Sequence, residues 1–87
     1  MSNYIAEIVN LYISRRGGAL MISPADYSII MEWQKQEIPL FIVVRSINDV
    51  FDRLAESGRK PKIKTIEYFS EAIEENFCNW LQTQVGK

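Results

Sequence analysis

The chain has no histidine and a single cysteine, Cys78. Without histidine, the commonest general base and the commonest metal ligand are both missing. A lone cysteine forms no internal disulfide and carries no mark of an oxidising compartment. A zinc site of the Cys/His type cannot be built from one such chain. Serine- or cysteine-based nucleophilic catalysis has no histidine to supply its base. No apolar run approaches the ~18 residues of a membrane-spanning helix. The opening MSNYIAEIVN lacks the basic, then continuously apolar, pattern of a signal peptide. The expected location is therefore the cytoplasm, by absence of any address. No internal repeat or low-complexity segment occurs. Gly17-Gly18 is too short for a phosphate-binding loop, and neither GxGxxG nor GxxxxGK[ST] is found. The expectation is a protein that is not an enzyme, with no cofactor and no metal.

What remains is an ordinary globular composition. Of 87 residues, 47% are hydrophobic and 24% charged, with a formal net charge of -1. This length suits one domain, residues 1–87, that buries roughly 60–65% of its unfolded surface. A near-neutral balance argues against a globally basic nucleic-acid binder and leaves room for a local patch.

The strongest periodicity lies in PLFIVVRSINDVFDRLAE. Leu40, Val43, Val44, Ile47, Val50, Phe51 and Leu54 recur at steps of three and four, which places them on one helical face. Arg45, Asp49, Asp52, Arg53 and Glu56 fall opposite. Phe41 and Ile42 widen the apolar face, so the first turn is expected to be buried nearly all round. This predicts a central helix over about 39–56.

Three further helices follow from the same reasoning. Tyr4, Ile5, Ile8, Val9, Tyr12 and Ile13 predict one over 3–14, capped by Ser2 or Asn3 and closed by Arg15, Arg16 and the Gly17-Gly18 pair. The two arginines read as a solvated helix end. Ala19 to Ile22 is a short apolar stretch, extended or plugging a gap. Ser23-Pro24-Ala25-Asp26 is the clearest local signal: a serine cap, proline at the first helical position and a carboxylate at the positive end of the helix dipole. That helix should run to about Gln36, with Tyr27, Ile30, Met31 and Gln34 on one face and Trp33 anchoring it to the central helix. Glu37-Ile38-Pro39 is a tight, helix-turn-helix-like joint at 36–39. After a loop at 57–62, Ile66, Phe69, Ile73, Phe77, Trp80 and Leu81 predict a last helix from Thr65 to about Gln84, with a fraying 85–87. The fold class expected is all-α: a compact four-helix domain around the central amphipathic helix.

Two surface features carry the functional readings. Arg59, Lys60, Lys62 and Lys64 cluster around Pro61, with Arg53 about two turns earlier on the central helix. Such a group suits phosphate contacts, with salt-sensitive binding. The plainer reading is a solvated loop where cations favour a helix C-terminus. The cluster contains no aromatic residue to stack on a base. The second feature is a surplus of aromatic and methionine side chains, of which Trp33, Phe41 and Trp80 are candidates for a partner or dimer surface. Core packing accounts for most of that surplus. The carboxylate pairs Asp49/Asp52 and Glu71/Glu75 lie one turn apart on outward faces and read as solvated charge, Asp49 with Arg53 as an i,i+4 pair. Cys78, beside Phe77 and Trp80, reads as a partly buried structural thiol.

The segment ISPADYSIIMEWQ followed by IPLFIVVRSINDVFDR resembles the helical domain of DnaD-like bacterial replication-initiation proteins. In that family the next helix carries a Tyr-x-x-x-Ile-Leu-x-x-Trp pattern; here the nearest counterpart is Phe69-x-x-x-Ile73-x-x-x-Phe77, with Glu74 at the leucine position. The chain is similar as well to small bacterial helical domains with the same order of Ser-Pro-Ala-Asp, tryptophan and proline. The resemblance covers roughly residues 20 to 80 and implies a DNA-linked role for the basic loop and last helix. Two readings follow: a non-catalytic helical binding domain that meets DNA through Arg53, Arg59, Lys60, Lys62 and Lys64, and a protein-interaction or self-association module with no nucleic-acid role.

Overall fold

The structure is a computed structural model, which describes residues 3–16, 22–58, 63 and 65–85. Four α-helices and one short 3-10 turn account for nearly all of them, and no strand occurs among the described residues. Helix α1 is Tyr4–Arg16, α2 is Pro24–Lys35, α3 is Leu40–Glu56 and α4 is Ser70–Val85; the 3-10 turn η1, Ile66–Phe69, precedes α4. The all-α, four-helix architecture expected from periodicity is the one observed. The turn at Gly17-Gly18, the stretch Ala19 to Met21, the basic loop residues Arg59, Lys60, Lys62 and Lys64, and the tail beyond Val85 lie outside the described residues.

Helix α3 is the hub. It packs against α1, η1 and α4, while α2 packs on α1 and η1 instead of lying along α3. The buried core draws on every element: Ile8 and Tyr12 from α1, Ile30 and Trp33 from α2, Ile42, Val43, Ile47 and Phe51 from α3, and Ile66, Phe69 and Ile73 beyond them. Tyr12 and Phe51 both meet the Phe69 ring, at centroid separations of 5.9 and 5.3 Å, which makes Phe69 the aromatic centre of the core.

Local chemistry explains the element ends. Ser23 Oγ accepts from the Asp26 amide at 3.2 Å and Pro24 opens α2, as the Ser-Pro-Ala-Asp signal predicts. Helix α2 closes with the Ile38 amide donating to Trp33 O and the Glu37 amide to Gln34 O. That pair of bonds is a Schellman closure, with Ile38 and Trp33 both buried as its hydrophobic contact. Glu37 occupies the left-handed position at φ 60, where glycine is usual. At the end of α3 the same left-handed position falls to Gly58, at φ 76.

Several expectations are corrected. The buried face of α2 is Asp26, Ile30 and Trp33. Tyr27 and Met31 are 45% and 47% exposed, so the helix is rotated from the face that hydropathy selects. The cause is Asp26: its carboxylate, 4% exposed, accepts from the Ile66 amide at 3.3 Å and so must face the core side of η1. The predicted last helix is broken into η1 and α4. Thr65 Oγ1 takes the Glu67 amide at 3.1 Å while Asp26 takes that of Ile66, and the three-residue turn puts Ile66 and Phe69 on the same side, into the core. Arg15 and Arg16 are not merely solvated. Arg15 pairs with Asp52 at 2.7 Å and lies over the Phe51 ring, and Arg16 lies over Tyr12.

Candidate interaction surface

Helices α3 and α4 run antiparallel, and the seam between them is concave. Near its middle stands Ser46, fully buried, with its hydroxyl donating to Ile42 O and accepting from Asn76 Nδ2, both at 2.7 Å. A small residue at this point lets the two helices approach closely, and the hydrogen bond sets their register. On either side of Asn76 the seam opens. One depression, of about 880 Å³, is lined by Val50, Arg53, Leu54, Tyr68, Glu71 and Glu75, among others. The other, of about 340 Å³, is lined by Phe41, Ile42, Arg45, Asp49, Asn79 and Trp80, with Thr83 beyond. Asn76 lines both, so the two depressions adjoin there as one interrupted groove along the α3–α4 seam.

Aromatic rings mark its ends. Phe41 meets Trp80 edge-on at 5.9 Å, and Trp80 in turn stacks near Phe77 at 6.2 Å. Phe77 and Trp80 are half-buried against the core, whereas Phe41 is 52% exposed. At the far end Tyr68 is 55% exposed, its ring edge-on to the buried Phe69. The charges sit on the walls: Arg45, Asp49 and Arg53 along α3, Glu71 and Glu75 along α4. The ion pair found among the described residues is Arg15–Asp52, outside the groove.

The candidate residues are placed as follows. Trp33, 3% exposed, is a core residue and not part of any surface; its bulk is consumed beneath the Schellman closure. Phe41 and Trp80 are brought together at one mouth of the groove. The expectation that the first turn of α3 is buried all round holds for Ile42 and fails for Phe41. Arg53 lies in the larger depression beside Glu71 and Glu75. Arg59, Lys60, Lys62 and Lys64 are outside the described residues. Cys78 is exposed, not partly buried, because it falls on the face of α4 turned away from the stripe of Ile73, Phe77 and Trp80. Tyr68 and Asn76 went unrecognised in the sequence. Tyr68 had a readable signal, an aromatic ring displaced from the stripe of Ile66 and Phe69. Asn76 had none, since its role depends on Ser46 thirty residues away.

The titration perturbations lie elsewhere. Tyr4 donates to Ile38 O at 2.8 Å, and burial pushes its phenol from 10.0 up to about 12. Burial also raises Tyr12, with the Asp26 charge adding to the rise and Arg16 opposing it. Among the described residues no group of three His, Cys, Asp or Glu side chains is placed to hold a metal, and no helix is long and apolar enough to cross a membrane.

The fold and groove define an all-α four-helix domain with an amphipathic seam on its outer side. Comparison with models of known protein families, with curated proteins and with solved structures finds no match to this chain.

Proposed function

We propose that this chain is a non-catalytic helical module that binds a protein partner through the outer α3–α4 seam. The observation that carries the reading is the position of two of the three exposed aromatic rings among the described residues, the third, Tyr27, lying apart on α2. Phe41 and Tyr68 stand at opposite ends of the seam, and each leaves about half of its surface open to solvent. Half-exposed aromatic side chains beside a concave surface of mixed apolar and polar lining are common anchors of protein interfaces. The DNA-linked reading is less well supported. Arg53 is its one member among the described residues, and it shares its depression with Glu71 and Glu75, whose carboxylates repel phosphate.

Photo-crosslinking tests the proposal in the source cell. A crosslinking phenylalanine analogue is placed at 41, at 68 and at the exposed control position 32 on α2. A discrete protein adduct from 41 and 68, absent from 32 and resistant to nuclease, is the expected result. Nuclease-sensitive adducts, or the same pattern from all three positions, would refute the reading.

A further inference from the structure

We infer that the α3–α4 groove takes a single amphipathic helix whose flank over α4 is basic and whose flank over α3 is acidic. This rests on the preceding proposal that the seam binds protein.

Three features define the occupant. The first is length: the groove follows α3, whose 17 residues span about 25 Å, the length of a partner helix of between four and five turns. The second is the backbone of the guest. Among the described residues there is no strand and hence no open sheet edge. An extended peptide on this floor of Val50, Leu54 and Ile42 would find no strand edge to pair its N–H and C=O groups and would rely on water for them, whereas a helix satisfies them internally.

The third is charge. Glu71 and Glu75 stand one turn apart on the α4 wall, and η1 and α4 contain no lysine or arginine. On the α3 wall Arg45 and Arg53 flank Asp49. A guest helix with Lys or Arg along one side and Asp or Glu along the other, its apolar stripe between them, meets Glu71 and Glu75 on one wall and Arg45 and Arg53 on the other with opposite charge, with a neutral residue opposite Asp49. A second copy of this chain fits less well: α4 against α4 would oppose Glu71 and Glu75 to their own like.

The test is selection from a displayed library of 18-residue helices with a fixed apolar stripe and randomised flanks, alongside a library of extended proline-rich peptides, against the whole chain. Enriched helices are expected to carry Lys or Arg on one flank and Asp or Glu on the other. Their binding should shift the fluorescence of Trp80, a shift that Trp80→Phe removes while the buried Trp33 remains as internal control. Combined Glu71→Lys and Glu75→Lys should weaken them about tenfold or more, and reversing the basic flank of the peptide should restore binding. Both glutamates are exposed, so a melting curve confirms that the variant is folded. Enriched helices without the charge pattern, affinities unmoved by the charge reversal, or enrichment of extended peptides alone would each overturn the inference. If such binders nevertheless lose affinity on Phe41→Ser, the protein-binding reading stands without the helical guest. If none depends on Phe41, both fall. Concentration-dependent dimerisation abolished by Phe41→Ser would replace the helix with a second copy as the occupant.

Discussion

Two tyrosines show how much a single hydroxyl depends on its surroundings. Both Tyr4 and Tyr12 belong to the apolar stripe of α1. The Tyr4 hydroxyl reaches Ile38 O at the α2–α3 joint, while that of Tyr12 is fully buried with no partner in hydrogen-bond geometry, the Arg16 guanidinium being near enough to act on its charge but not aligned to bond it. A buried polar group without a partner is destabilising by about 1–3 kcal/mol, so Tyr12→Phe should be neutral or stabilising. Thermal melting measures this; a rise of a few degrees is expected, and a clear fall would mean that the hydroxyl is satisfied after all. Tyr4 governs the alkaline limit. Its folded value of about 12 lies above the ordinary 10.0. Its contribution is therefore complete below pH 10 and is lost as pH rises towards 12, since the unfolded chain releases the proton first. Tyr12, raised in the same direction, adds to that slope. Urea midpoints between pH 9 and about pH 11.5 should fall steadily, and Tyr4→Phe should flatten the decline while lowering stability near neutrality through loss of the bond to Ile38.

At the scale of the element, the ends are more instructive than the middles. The α2 closure places Glu37 at φ 60, a conformation that costs a side chain with a Cβ about 1 kcal/mol or more. Nothing in its identity compensates for this, and the two backbone bonds of the closure need only the geometry. Glu37→Gly should therefore stabilise the protein by about 0.5–1 kcal/mol, a rise in melting temperature of several degrees for a domain of this size. A β-branched residue there should do the reverse. Unchanged melting for both variants would show that the joint carries no strain. The central helix illustrates the limit of periodicity. Its stripe is buried in the middle at Val43, Ile47 and Phe51, yet only half-buried at Leu40, Val50 and Leu54, where the neighbouring elements diverge.

At the scale of the whole molecule, polar contacts between described residues tie distant elements together: Tyr4 to Ile38, Arg15 to Asp52, Asp26 to Ile66 and Ser46 to Asn76. The Arg15–Asp52 pair is substantially exposed, and such pairs contribute about 0.2–1 kcal/mol at most. Asp26 matters more, because both its carboxylate and the Ile66 amide are buried. Asp26→Ala leaves that amide unsatisfied and should destabilise by about 1–3 kcal/mol. Asp26→Asn keeps an acceptor oxygen and should lose less. Denaturant titration of both variants checks this; equal losses would show that the contact to Ile66 contributes nothing.

Much of the fold was legible in the residues because its causes are local. The apolar stripes recur every three or four positions, and the caps at Ser23 and Thr65 act within three residues of themselves. Periodicity and capping therefore determined that there are four helices, where α2 begins, and that α3 is the hub. The groove was legible only in part: Phe41 and Trp80 stood out as surplus aromatics, whereas Trp33 looked the same and proved to be core.

Tertiary structure alone decided the rest. Which face α2 buries was settled by the bond from Asp26 to an amide forty residues away. The approach of α3 to α4 was settled by Ser46 and Asn76, and at Phe41 the only ring contact from α4 among the described residues is the edge-on one with Trp80, which leaves it half exposed. A helical stripe states how much apolar surface an element must hide. Only contacts between residues far apart in the chain determine what hides it and what stays open to a partner.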